Sequence, residues 1–426
     1  MNKLKTFADI DQALLGYIPA VKDTMGKGIT LERMYPLMKA IGNPEKKLKI
    51  IHVAGTSGKT STSYYITSLL VEAGQKVGLT VSPHVDSVAE RVQINLQPIA
   101  EKEFAEQLSE FIGLIENAEI EPSYFELLVA FAYWYFVKKN VDYAVIETGM
   151  GGLLDGTNVA VRDDKLCVIT DIGYDHMKVL GNTLSEIASQ KAGIIHHNNH
   201  AIMFNQSPEI LDIFQAWCKR YNAVLEVVER TTEAISGIDA LPEYQQYNLT
   251  LAHKAFKYLA KRDGLPELTI QQLSQGMSIQ VPGRMDEVEV GSKKVIMDGA
   301  HNGQKMEAFV SSLEKKYPKQ NVAVLMGLKE DKQFSDVLSI LRPVTSTLIL
   351  TSFSGSQDMP FVGVEPKELA VEAKQIGYKN IIIEADCSLA YEKLLEQSEN
   401  IVVITGSFYL IGQLRSNNKE LQNVRH

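Results

Sequence analysis

From Lys49 onward, short apolar runs of strand length alternate with longer stretches of helical periodicity. KIIHVAG, KVGLTVS, DYAVIETG, KLCVITDIG and HAIMFN are almost uninterrupted apolar segments that end in glycine or a polar residue. Runs of this kind suit strands buried on both faces, as in a parallel sheet, rather than strands with one wet face. Between them, residues 59–73, 101–117 and 123–139 have the length and spacing of helices. The alternation predicts an α/β fold with a doubly wound, mostly parallel sheet and helices on both faces.

A second series follows Val281-Pro282-Gly283-Arg284: KKVIMDGAH, NVAVLMGL, STLILTSF, NIIIEAD and NIVVITGS, again separated by helical segments. A chain of 426 residues is too long for one compact core. The Pro-Gly pair therefore reads as a hinge. Residues 1–285 form one expected domain, and residues 286–426 a smaller, Rossmann-like α/β domain. The most apolar stretch, Tyr124 to Val137, includes Glu126 and is too short to cross a bilayer, so it reads as a buried helix.

Composition narrows the partners. A net charge of -9 gives no electrostatic footprint for nucleic acid or an acidic membrane. The cysteines, Cys167, Cys218 and Cys387, lie far apart without zinc or disulfide spacing, which fits a reducing compartment. MNKLKTFADIDQALLGYI carries two aspartates and no apolar core of signal-peptide length. A cytoplasmic location follows as the expectation.

Candidate chemistry begins at IIHVAGTSGKTSTSYYI, residues 50–66. The usual phosphate-binding loop has Gly, four residues, then Gly-Lys-Ser/Thr. Here Val53 stands where its first glycine would be, yet Gly55 and Gly58 follow an apolar run and Lys59-Thr60-Ser61 opens a helical stretch. Glycines let backbone N–H groups approach phosphate oxygens, and the helix adds its positive end. Lys59 supplies a cation for the β/γ-phosphates, and Thr60 and Ser61 supply hydroxyls. A plain glycine turn with an exposed lysine is the competing reading.

Glu147 ends DYAVIETG before Met150-Gly151-Gly152, and Asp175-His176 follows KLCVITDIG. Ligands of doubly wound sheets sit outside the carboxyl ends of the strands, so these residues would face the phosphates. Glu147 suits Mg²⁺, whereas a histidine ligand is less usual for that ion. Either could instead cap a helix or hold a loop.

Taken in order, the motifs resemble those of the folylpolyglutamate synthase/dihydrofolate synthase family of the Mur ligase superfamily. GTSGKTS (55–61) is similar to that family's GTNGKGS, which lacks the extra glycine. The lead-in from Gly28, SPHVDSVAERVQIN (82–95), ETGMGGLLDGTN (147–158), ITDIGYDHMKVLGNTLSEIASQKAGII (169–195), PGR (282–284), MDGAHN (297–302) and GSFYL (406–410) each resemble a family block.

The resemblance implies an ATP-dependent ligase that adds L-glutamate to a folate, with dihydropteroate as a further acceptor, through an acyl phosphate. It assigns Gly55, Thr56, Ser57, Gly58, Lys59, Thr60 and Ser61 to the ATP phosphates, with Arg284 reaching them from the domain junction. Asn248 matches the adenine-contacting asparagine. Ser82, Glu147 and His176 look like Mg²⁺ ligands, and Lys191 like the lysine these enzymes carbamylate to hold a second Mg²⁺; a monovalent cation is compatible with the family pattern. Asp298 and His301 match residues for nucleotide and incoming amino acid. Ser82, Pro83, His84 and Asp155 lie where the family holds its pterin-bearing substrate. Lys59, His176, Lys191 and Arg284 would carry catalysis, with domain closure about residues 281–285 excluding water. A monomer with small-molecule substrates is the implied assembly.

Four positions depart from the family pattern: Ser57 replaces asparagine, Thr60 glycine, Leu153 the arginine of GGRLD, and Gly303 the proline of DGAHNP. None removes the phosphate lysine or a metal ligand. Leu153 adjoins Asp155, so it bears on the acceptor. A ligase of the same mechanism acting on a non-folate carboxylate is the alternative enzyme, and a nucleotide-binding regulator the alternative from another class. His196, His197 and His200 read as a connection rather than a metal cluster.

Overall fold

The computed structural model describes residues 4–18, 30–116, 120–231, 235, 237–329 and 334–422. Gly28 and Ile29 of the lead-in, Asn117 at the end of an expected helix, and Met1–Lys3 lie outside the described residues. The chain divides into two compact units. One comprises residues 1–241, 245–279 and 357–359, the other residues 242–244, 280–356 and 360–426.

In the first unit, β1 (Lys49–Ala54), β2 (Val77–Thr80), β3 (Gln93–Ile94), β4 (Gln97–Pro98), β5 (Tyr143–Glu147), β6 (Leu166–Ile169), β7 (His200–Phe204) and β8 (Val224–Val228) form one sheet. The strand order is β4-β3-β2-β5-β1-β6-β7-β8. From β2 to β8 all pairings are parallel, while β3 and β4 add an antiparallel ribbon at one edge. The ribbon and β8 lie beyond the five expected strands; β3 and β4 have two residues each, and β8 is an edge strand whose apolar run is broken by Glu226.

β1 lies between β5 and β6, where the winding reverses, and the register pairs Val53 with Glu147. The loop after β1 and the end of β5 are thereby placed side by side at the topological switch point, where such sheets bind ligands.

The three expected helices form with their ends defined by local chemistry. Lys59–Glu72 starts at Gly58 and is buried from Ser61 to Leu70, which explains its lack of a polar face. In Tyr124–Lys138, Ser123 accepts from the Glu126 amide and Glu126 returns a bond to the Ser123 amide, a capping box. The buried Glu126 carboxylate also takes two bonds from Arg33, at 2.9 and 3.0 Å. On one side of the sheet Phe131 stacks on Phe104 with ring centroids 5.3 Å apart and meets Phe111 edge-on at 5.5 Å. Ile187, Ile194, Phe214 and Cys218 belong to a separate buried cluster with Cys167 and Ile169.

The second unit contains β9 (Asp286–Val290), β10 (Lys293–Asp298), β11 (Val322–Met326), β12 (Thr345–Leu350), β15 (Ile381–Ile383) and β16 (Ile401–Thr405), ordered β15-β12-β11-β16-β10-β9. Only β9 runs antiparallel, as an edge strand whose DEVEV alternation has one wet face. A hairpin of β13 (Ser354–Ser356) and β14 (Pro360–Val362) stands apart from this sheet. Fully buried Asp286 and Arg415 pair at 3.1 Å and tie β9 to the helix Phe408–Asn417.

Cys167, Cys218 and Cys387 are buried and free. Among the described residues no helix is long and apolar enough to cross a membrane.

Candidate functional site

The loop between β1 and the helix Lys59–Glu72 is built around two glycines at which a side chain would force neighbouring groups to move. A Cβ on Gly55 would lie 1.8 Å from Thr170 Oγ1. Gly58 has φ +86°, in the left-handed region, and its Cβ would lie 2.4 Å from Asn248 Oδ1. Asn248, on the helix Glu243–Asp263, thus touches the loop itself. The Thr56 amide donates to Asp171 O at 2.6 Å and its hydroxyl to Gly173 O at 3.0 Å, anchoring the loop to the segment after β6.

Two lysines converge on that loop. Lys59 Nζ donates to Gly55 O at 3.1 Å and buried Lys191 Nζ donates to the same oxygen at 2.9 Å. Lys191 sits in the last turn of the helix Leu184–Ala192, whose Thr183–Glu186 capping box fixes its start. Beside them, buried Glu147 accepts from Thr60 Oγ1 at 2.9 Å and from the Ser82 amide at 3.3 Å. Gly55, Thr60, Ser82 and Glu147 offer oxygen atoms, the donor type Mg²⁺ takes. His176 begins the short helix Met177–Leu180 in a left-handed conformation, with its ring beside Asp175. Among the described residues no group of three or more His, Cys, Asp and Glu side chains could hold a metal ion; a Mg²⁺ site here depends on hydroxyls and phosphate oxygens as well.

The substrate candidates fall in two places. The Ser82-Pro83-His84 turn follows β2, and burial and the Arg91 charge hold the His84 imidazole well below its ordinary pKa. Its Nδ1 accepts from Arg91 Nε at 3.0 Å. Asp155 is buried, and burial raises its pKa against the lowering effect of its hydrogen bonds. Its Oδ2 accepts from the Met150 amide at 2.7 Å and Oδ1 from the Thr157 amide at 3.0 Å, closing the turn after β5. Leu153 packs on Gly193, where an added Cβ would lie 2.4 Å from the leucine Cβ, and its amide donates to Gln190 O.

Two residues that sequence reasoning did not single out belong here. Arg91, 2% exposed, makes a paired contact with Asp358 at 2.6 and 3.0 Å and lies over the Tyr124 ring. Phe125 lies against Gly149, whose Cβ would be 2.4 Å from the ring. Both line a small cavity with Ser82 and Glu147. Arg91 lies within the quoted ERVQIN block, but burial of its charge cannot be read from spacing.

In the second unit Asp298 ends β10, buried, accepting from the Met285 and Ala300 amides at 3.1 and 2.9 Å and from the Tyr244 hydroxyl at 3.2 Å. Burial pushes its carboxyl up to about 6, against the charge of Arg284. His301 Nδ1 lies 2.8 Å from Gly299 O, which fixes the proton on that nitrogen and leaves Nε2 to accept from Lys305 Nζ at 2.9 Å. Arg284 lies 4.3 Å from the centroid of Phe408, whose ring also packs on Gly299 and edge-on to His301. GSFYL thus supplies the ring around which these residues are grouped.

The histidines after Lys191 separate. His196 meets Asn158 Oδ1, His200 stacks on Tyr258 and pairs with Glu226, and His197 lies near Asp163.

Known proteins match this arrangement along the chain. The Mur ligase middle domain matches residues 53–261, and the dihydrofolate synthetase C-terminal domain matches residues 283–417. The chain is 30% identical over 413 residues to the dihydrofolate synthase/folylpolyglutamate synthase of Bacillus subtilis, covering 90% of this chain and 94% of that one. It is 31% identical over 423 residues to the dihydrofolate synthetase of Saccharomyces cerevisiae, covering 92% and 99%. The structure of Mycobacterium tuberculosis folylpolyglutamate synthase complexed with ADP shares the fold, with a TM-score of 0.83 at 24% identity, covering 96% of this chain and 98% of that chain. The chain belongs to the folylpolyglutamate synthase/dihydrofolate synthase family of the Mur ligase superfamily.

Proposed function

We propose that the protein is an ATP-dependent ligase that joins L-glutamate to the carboxylate of a folate, with dihydropteroate as a further acceptor. The observation that carries the reading is the convergence of Lys59 and Lys191 on Gly55 O beside Glu147, in a loop whose glycines Gly55 and Gly58 lie close against Thr170 and Asn248.

The acceptor carboxylate attacks the γ-phosphorus of ATP, breaking its bond to the β-γ bridging oxygen and giving an acyl phosphate and ADP. The glutamate amine then adds to the acyl carbon, loses a proton and expels phosphate. Both steps gather negative charge, so fixed cations and N–H groups do more here than a protein nucleophile. Loop amides and Lys59 bind the phosphates, and Asn248 beside Gly58 is assigned to the adenine. Ser82 and Glu147 would hold Mg²⁺, with His176 as the third ligand carried over from the family; the ion, when bound, neutralises charge on the phosphates. A carbamate on Lys191 would replace a cation by an anion suited to a second Mg²⁺, and would end the competition of two ammonium groups for one carbonyl. A monovalent cation belongs to the same family expectation.

Ser82, Pro83, His84 and Asp155 are assigned to the acceptor. Arg284, Asp298 and His301 are assigned to the phosphates and the incoming amino acid, and residues 1–285 and 286–426 to the two functional domains. A monomer in the cytoplasm completes the reading. Leu153, standing near Asp155 where the family pattern has an arginine, supports a second reading in which the same chemistry serves a non-folate carboxylate. Phosphate release from MgATP and glutamate separates them: dependence on dihydropteroate or tetrahydrofolate supports the folate ligase, and no response to either pterin contradicts it.

A further inference from the structure

His52 is a fully buried histidine on the central strand β1, flanked by Ile51 and Val53, which are also fully buried. Its Nε2 lies 2.9 Å from Thr157 Oγ1 and 3.0 Å from Thr148 Oγ1. Thr148 follows Glu147 directly, and Thr157 sits in the turn closed by Asp155. The Thr157 hydroxyl in turn bonds Asp155 Oδ1.

Both Asp155 oxygens already accept backbone amides, Oδ2 from Met150 and Oδ1 from Thr157, so the carboxyl group acts as acceptor and takes the single Thr157 hydroxyl proton at Oδ1. Thr157 Oγ1 must then accept from His52, which puts the proton on Nε2, where the one N–H is shared between the Thr157 and Thr148 oxygens. Burial holds the ring neutral, so Nδ1 carries none. Nδ1 is also the ring nitrogen without a hydrogen-bond partner. A buried acceptor left unmatched is tolerated better than a buried N–H left unmatched, so both ends of the ring agree on this tautomer.

The fold alone does not call for such a group. An apolar side chain at position 52 would continue β1 without burying an unmatched nitrogen. The hydroxyls it serves lie at the two ends of the turn that carries Leu153 and Asp155.

We infer that His52 is a positioning residue: its Nε2–H, relayed by the Thr157 hydroxyl, orients the Asp155 carboxylate for the acceptor, and through Thr148 fixes that turn to the strand bearing Glu147. The inference rests on the proposed reading that Asp155 lies at the acceptor site. It gives the chain a determinant of acceptor affinity that is itself fully buried.

The test compares His52→Leu and Thr157→Val with His52→Gln and Thr157→Ser, which retain the relevant polar groups, and with Asp155→Asn. Steady-state kinetics use whichever pterin supports phosphate release, and amide hydrogen exchange follows residues 148–158. His52→Leu and Thr157→Val are expected to raise acceptor KM by about tenfold while leaving ATP KM within about twofold, with faster exchange in the turn. His52→Gln and Thr157→Ser should restore both to within about threefold. An unchanged acceptor KM in His52→Leu, or acceptor and ATP KM rising together, would overturn the inference. Asp155→Asn checks the underlying reading separately. An unchanged acceptor KM there removes Asp155 from the acceptor site, and a turn that still loosens in His52→Leu would then be mere loop support, contradicting the inference.

Discussion

Lys59 and Lys191 donate to one carbonyl oxygen, that of Gly55, at 3.1 and 2.9 Å. Two ammonium groups this close repel each other, and one carbonyl dipole compensates only part of that repulsion. The pair therefore favours an anion at the loop and favours chemistry that removes a charge from one lysine. Of the two, Lys191 is the buried one.

On the proposed reading, Lys191→Gln should lower kcat on the order of a hundredfold, by removing the amine on which the carbamate would form. Depleting dissolved CO₂ and bicarbonate should lower the activity of the unaltered protein and leave the variant unaffected. A ¹³C carbamate resonance from labelled bicarbonate, absent in the variant, gives the direct reading.

Gly58→Ala places a methyl group 2.4 Å from Asn248 Oδ1 at a φ of +86°. The strain should cost about 1–3 kcal/mol and move either the loop or Asn248. Calorimetric titration with ATP is expected to show weaker binding, by roughly tenfold for 1.4 kcal/mol, with a lower unfolding temperature. Unchanged ATP affinity would show that the loop does not cradle the nucleotide.

Phe131 is fully enclosed by Phe104, Phe111 and Tyr135. Phe131→Ala should destabilise the first unit by about 3–5 kcal/mol through lost burial and the cavity left behind. Denaturant unfolding followed by circular dichroism checks this, with Phe131→Leu expected to lose less.

Asp298 gives a pH dependence with a definite sign. Its ordinary value is 3.8 and its folded value about 6. Between them the folded chain keeps a proton that the unfolded chain has released, so stability falls as pH rises from about 4 to about 6. Two pKa units correspond to roughly 3 kcal/mol at most. A ¹³C titration of the Asp298 carboxyl, assigned with Asp298→Asn, should give a midpoint near the folded value.

Much of this was legible in the sequence where the signal is local. GTSGKTS follows an apolar run and opens a helix, and the structure places Gly55, Gly58 and Lys59 in that setting. Strands β1, β5, β6, β10, β11 and β16 are near-continuous apolar runs because both faces are covered. β3, β4 and β8 escaped because short or edge strands carry mixed residues, and β9 because its alternation departs from the run pattern of the other strands. Arg91 and Phe125 were missed for a different reason: their importance comes from burial beside Ser82 and Glu147, which are distant in sequence. His52 was hidden inside an apolar strand, and only its contacts with Thr148 and Thr157 distinguish it from its neighbours.

Isotope transfer reads acyl-phosphate formation directly. A pterin acceptor labelled with ¹⁸O in its reacting carboxylate is incubated with MgATP, glutamate and the protein, and the released phosphate is analysed by mass spectrometry. An acyl-phosphate ligase must move a labelled carboxylate oxygen into that phosphate, alongside a glutamylated pterin, and Lys59→Ala must abolish both. Phosphate released without label, or released in the absence of glutamylated product, would contradict ligation through an acyl phosphate.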